Sequence, residues 1–165
     1  MRVHFFISTL PHQHISTLFK KVDHIGIAVK DLESANKMFG ALSEIGLLKI
    51  EKVESEGVLT SFFKVGETKI EFLQSTNETS SIAKFIEKNG EGLHHIAFEV
   101  EDIDAEIKRL SESGFELIKA EKKEGADNKY ICFVHPRSTN RVLTELCQDK
   151  SSPPSSYNIE ESEGL

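Results

Sequence analysis

Alternating runs and helical stepping follow one another twice along this chain. In "VDHIGIAV", residues 22–29, Ile25, Ile27 and Val29 share one face, and His24, Gly26 and Ala28 share the other. Leu32, Ala35, Phe39 and Leu42 then recur at steps of three and four, which predicts a helix capped by Asp31 and ending near Gly46. "VLTSFFKV" (58–65) and "TKIEFLQ" (68–74) return to a period of two. The second round opens on "LHHIAFEV" (93–100) and steps helically through Ile103, Ile107 and Leu110 behind Asp102. It stops at Gly114 and closes with the strand-like runs "FELIKA" (115–120), "KYICFVHP" (129–136) and "VLTELCQ" (142–148). Between the rounds, "SSIAKFIEKNG" (80–90) predicts a linker helix with Ile82, Phe85 and Ile86 on one face.

The two rounds are a repeat. A displacement of 71 places aligns His24 with His95, Ile25 with Ile96, Val29 with Val100 and Asp31 with Asp102. The closing strands correspond too, because Glu71 precedes Gln74 as Glu145 precedes Gln148. The expectation is an α+β fold of paired βαβββ modules in one domain over 21–148. Module one spans 21–75, the linker helix 80–90 and module two 91–148. A sheet with helices on one face must still cover the other, so the modules are expected to share a curved mixed sheet with the helices outside.

Strand parity assigns side chains to that shared interior. The bulky face of each opening strand belongs against the helices, which aims His24 and His95 inward and His94 outward. Gly26, Ala28 and Ala97 leave room beside the inward imidazoles. Ile70 and Phe72 face the helices, which leaves Glu71 inward; Glu145 points inward with Leu143 and Cys147. Each module therefore offers one His and one Glu. Two imidazoles and two carboxylates suit a divalent first-row cation, and a cation removes the cost of burying the carboxylates.

Composition narrows the function classes. The 165 residues carry 20 Lys and Arg against 27 Asp and Glu, a formal charge of −7, so no nucleic-acid footprint is expected. No apolar run approaches the roughly 20 residues that span a bilayer. Cys132 and Cys147 lie in apolar strand-like runs, which predicts a reduced protein, cytoplasmic or organellar, without a disulfide framework. Residues 1–20 contain no acid and one Arg and are broken by Pro11; they read as a flexible or targeting segment, mitochondrial if a transit segment. His12 and His14 there read as solvated rather than as ligands. Residues 149–165, rich in Ser, Pro and acid, read as a disordered tail.

Over residues 20–148 the chain resembles the vicinal oxygen chelate superfamily and, within it, the methylmalonyl-CoA epimerase branch. "DHIGIAV", "GEGLHHIAFEV" and "FVHPRSTNRVLTELCQ" carry the likeness. The resemblance implies His24, His95 and Glu145 as metal ligands, with Glu71 at the fourth position. It implies a divalent metal ion, cobalt first, with nickel, manganese or zinc also suiting the donors. The implied reaction interconverts (2R)- and (2S)-methylmalonyl-CoA by proton abstraction alpha to the thioester through a metal-stabilised enolate, with Glu145 as base. The implied partners are an acyl-CoA substrate and a second copy in a homodimer.

Two features depart from that pattern. Thr60 stands where some members present a second Glu, with Glu56 nearby, and "EGADNKY" replaces a Gly-rich turn. Arg137, Arg141 and Lys129 are weighed as coenzyme A contacts against solvated side chains. The alternatives are a glyoxalase I-like isomerase (lactoylglutathione lyase), a ring-cleaving dioxygenase, which a fourth ligand at Glu71 disfavours, and a non-catalytic small-ligand-binding protein.

Overall fold

Caps and closing-strand glutamines set where the helices begin. The computed structural model describes residues 19–152, and the expectations for earlier and later residues lie outside them. In chain order come β1 (Lys21–Ala28), α1 (Leu32–Ser43), β2 (Lys49–Val53), β3 (Val58–Val65), β4 (Thr68–Ser75), α2 (Ser81–Asn89), β5 (Gly92–Glu99), α3 (Ile103–Glu112), β6 (Lys123–Glu124), β7 (Lys129–Val134) and β8 (Thr144–Asp149). Asp31 accepts the Ser34 N–H at 2.6 Å, and Asp102 accepts the N–H groups of Asp104 and Ala105 at 3.0 Å. The first N–H of α1, at Leu32, donates to Gln74 at 2.6 Å, and that of α3, at Ile103, donates to Gln148 at 2.9 Å. The repeated Glu-x-x-Gln spacing thus sends the glutamate to one face of the sheet and the glutamine to the helix on the other.

β1 and β5 pair antiparallel at the centre of one eight-stranded sheet of order β2-β3-β4-β1-β5-β8-β7-β6. β1 is parallel to β4 as β5 is parallel to β8, and the outer pairs are antiparallel. The order outward from the centre is the same in both halves, and the sheet curls into a half-barrel. Ion pairs draw its two ends together: Lys123 Nζ lies 2.6 Å from Glu56 Oε1, and Lys49 Nζ lies 2.7 Å from Asp127 Oδ1.

Two clusters fill the outer face. Leu32 and Ala35 of α1 pack on Phe63 and Phe72; Ile103, Ile107 and Leu110 of α3 pack on Cys132, Val134 and Leu146. The linker helix α2 behaves differently. Its Ile82 is buried with Ala28, Val58 and Leu73, which parity places on the concave side. It therefore walls one side of the interior instead of joining the outer layer. Among the described residues no helix is long and apolar enough to cross a membrane.

Two local expectations change, and one strand forms where none was read. Leu42 stays 75% exposed, because α1 ends at Ser43 with Glu44 left-handed at φ 57, before Gly46 is reached. "FELIKA" lies along β7 but does not build a ladder: Leu117 makes an isolated bridge to Val134, and the edge strand forms later, as the two-residue β6. An edge this short limits pairing with other chains. β2 is an edge strand that periodicity did not announce, since Ile50 on it is exposed.

Candidate metal centre

The four central strands each bring one donor to the same place. His24 comes from β1, Glu71 from β4, His95 from β5 and Glu145 from β8, and all four are buried. His24 Nε2 lies 3.0 Å from His95 Nε2. Glu71 Oε2 is 3.3 Å from His24 Nε2 and 3.5 Å from His95 Nε2. Glu145 is 3.6 Å from each of the same two nitrogens. Gly26, opposite His95 in the register, makes this approach possible: a Cβ there would stand 2.2 Å from Cε1 of the His95 ring.

The donor set fits a cation. Two nitrogens about 2.1 Å from one ion and at right angles to each other stand about 3.0 Å apart, which is the separation found here. Without a cation, two facing Nε2 atoms must share a proton. His24, His95 and Glu145 offer ligand atoms mutually within 4.8 Å, and Glu71 adds a second carboxylate. Asp23, His24 and Cys147 form another such trio. Burial pushes the Cys147 thiol up and keeps it protonated, and Asp23 is committed to two lysines, so that trio is the poorer nest.

Electrostatics separate the two carboxylates. Burial pushes Glu71 up, but the hydrogen bond with His95, the imidazole charges and the Thr60 hydroxyl, which donates to Oε1 at 2.8 Å, hold it below its ordinary value. Glu145 is raised, because burial, with the Glu71 and Asp23 charges, exceeds what the two imidazoles return. Burial disfavours the His24 cation, yet Glu145 and the bond to Asp23 raise it to about 9. Asp23 is itself held down: burial raises it, but the bond from His24 and the charges of Lys129 and Lys69 outweigh that.

Parity assigns His94 to the outer face, and the structure corrects this. His94 lines the same cavity as His95, with Nδ1 atoms 2.9 Å apart. The cause is a bulge: Gly26 pairs with His95 and Ile27 with Leu93, so His94 is left over and strict alternation fails there. Burial, then the neighbouring His95, lowers its pKa to about 4. Asp23 and His94 are the neighbours of the donor histidines that reading one strand at a time missed. The 71-place repeat aligns them with each other and was the available signal.

Around the four donors the cavity, of about 220 Å³, is walled by Val58, Leu73, Ile82, Ile131, Phe133 and Leu143. Glu56 and Lys123 also line it and close on each other. Lys129 is buried between Asp23, at 3.3 Å, and Glu99, at 3.8 Å, so its charge is consumed internally. Arg137 is exposed and paired with Glu116 at 3.2 Å.

The model of the glyoxalase/bleomycin resistance protein/dioxygenase superfamily matches residues 23–133. An ethylmalonyl-CoA/methylmalonyl-CoA epimerase of Cereibacter sphaeroides is 41% identical over 132 residues, covering 78% of this chain and 97% of that protein. The human mitochondrial methylmalonyl-CoA epimerase is 34% identical over 129 residues, covering 78% and 73%. A solved methylmalonyl-CoA epimerase in complex with methylmalonyl-CoA and NH4+ aligns with a TM-score of 0.78 at 32% identity, covering 81% of this chain and 97% of that one. The chain belongs to the glyoxalase/bleomycin resistance protein/dioxygenase superfamily and, within it, to the family of methylmalonyl-CoA epimerases.

Proposed function

We propose that this protein interconverts (2R)- and (2S)-methylmalonyl-CoA, using a divalent cation held by His24, Glu71, His95 and Glu145. One observation carries it: two imidazoles and two carboxylates from equivalent strands of both modules meet at one point of an apolar cavity. The named epimerases support the substrate. The exchanging C–H, between a thioester and a carboxylate, is a weak acid in water. A bound cation supplies the positive charge that lowers the energy of the enolate. Cobalt is our assignment; nickel, manganese and zinc suit the same donors.

The chain's own groups then divide the work. His24 and His95 bind through Nε2. Glu71, kept ionised chiefly by the two imidazoles and oriented by Thr60, adds charge without acting as base. Glu145 takes the proton, since among the described residues no side-chain hydroxyl occupies it as Thr60 occupies Glu71. Thr60 is spent on Glu71, so it supplies no second base. The titratable groups on the cavity wall beyond the four are His94, Asp127 and the Glu56–Lys123 pair, and from that wall or from water the proton returns on the opposite face.

The buried free thiols Cys132 and Cys147 support a reducing, cytoplasmic setting. Exposed Leu42, Leu47, Leu48 and Ile50 near the β2 edge support a homodimer. The test of the reaction is a paired assay of cobalt-loaded protein on methylmalonyl-CoA and on the glutathione hemithioacetal of methylglyoxal. Epimerisation of the first and inertness to the second are expected. Turnover of the hemithioacetal alone would identify a lactoylglutathione lyase, and inertness to both would leave a binding protein.

A further inference from the structure

Immediately before each proposed ligand histidine sits a residue that breaks the strand pattern in the same way. Asp23 and His94 correspond under the 71-place displacement, as His24 and His95 do. Along β1 and β5 the register runs Val22↔Phe98 then His24↔Ala97, leaving Asp23 over; it runs Gly26↔His95 then Ile27↔Leu93, leaving His94 over. A bulge suspends alternation, so the preceding side chain can turn toward the histidine instead of to the opposite face. Asp23 Oδ2 accordingly lies 2.9 Å from His24 Nδ1, and His94 Nδ1 lies 2.9 Å from His95 Nδ1. Both bonds engage Nδ1, and both leave Nε2 at the centre, where the two Nε2 atoms are 3.0 Å apart.

The proton bookkeeping follows from imidazole chemistry. A histidine that binds a cation through Nε2 carries its proton on Nδ1 and needs an acceptor there. The Asp23 carboxylate is such an acceptor. His94 is one only as the neutral ring protonated at its own Nε2, with Nδ1 free to accept from His95. The ring is braced edge-on by Phe85, centroids 4.9 Å apart.

We propose that Asp23 and His94 are positioning residues, each fixing the tautomer and ring orientation of the histidine that follows it. This rests on the metal-centre assignment above and adds to it the answer to why two histidines stand side by side. The two partners are unequal. Asp23 offers His24 an anionic acceptor, while neutral His94 offers His95 an uncharged one. Asp23 is also clamped by Lys69 at 3.1 Å and Lys129 at 3.3 Å, one lysine from each module. Its removal would also take a carboxylate from both lysines, so His94 gives the cleaner test.

The experiment is cobalt(II) titration of the full chain as wild type, His94→Asn and His94→Leu, read by calorimetry and by visible absorption of the bound ion. The Asn amide oxygen can accept near the position of Nδ1, whereas Leu fills space without an acceptor. His94→Leu should weaken cobalt binding by about 10- to 100-fold and shift the absorption bands. Its chelated form should melt close to chelated wild type, and His94→Asn should restore affinity and spectrum. Wild-type affinity and spectrum in the Leu variant would overturn the proposal, as would an Asn variant no better than Leu. A wild type that takes up no cobalt would overturn the metal assignment, and this inference with it.

Discussion

His24 Nε2 and His95 Nε2 stand 3.0 Å apart across the β1–β5 pair, each ring held from behind at Nδ1. Neither strand alone could place them so. The pair exists because the two modules meet at their opening strands, and the repeat then makes Glu71 and Glu145 converge from the strands on either side. His24→Ala and His95→Ala should each lower bound metal below one per chain, measured by elemental analysis after dialysis. The loss of affinity should exceed the about 10- to 100-fold expected for losing an outer partner.

Gly26 tests whether the His95 ring must lie where it does. A methyl at Gly26 meets Cε1, Nδ1 and Nε2 of that ring, the flexible end of a side chain, so the ring can swing aside while the backbone keeps its place. Gly26→Ala should therefore fold, with far-ultraviolet circular dichroism unchanged, yet bind cobalt as weakly as His95→Ala.

The two carboxylates should respond differently to the same change. Glu71→Gln keeps an oxygen for the cation and for the Thr60 hydroxyl, and should retain most epimerisation. Glu145→Gln removes the proton acceptor and should reduce kcat by about 10²- to 10⁴-fold. Both variants should melt near wild type. Equal losses would remove the division of roles between them.

Asp127 ties the ends of the curled sheet through Lys49 at 2.7 Å and through Lys69. Burial raises its pKa, but the bonds from those lysines win and lower it. A depressed folded-state pKa contributes stability that is complete above the unfolded value, about 3.9, and is lost as pH falls through the folded one. Urea unfolding of wild type should therefore show falling stability below about pH 4. Asp127→Asn should be less stable at neutral pH and show a shallower acid decline.

What was legible in the sequence followed from local periodicity. The inward aim of His24, Glu71, His95 and Glu145 needs only alternation within single strands, and α3 needs only the spacing of Ile103, Ile107 and Leu110. What was not legible depends on partners distant along the chain. The bulge that turns His94 inward belongs to the pairing of β1 with β5. The position of α2 on the concave side depends on Ile82 meeting Ala28, Val58 and Leu73 from elsewhere in the fold. Leu42 has helical spacing but no neighbour to cover it, since α1 ends one residue later.

Deuterium uptake from D2O at the carbon between the thioester and carboxylate of methylmalonyl-CoA tests the central claim most directly, run on protein as purified, after chelation and after cobalt is returned. The account predicts exchange that stops on chelation and resumes with cobalt. Exchange at full rate in metal-free protein would contradict it.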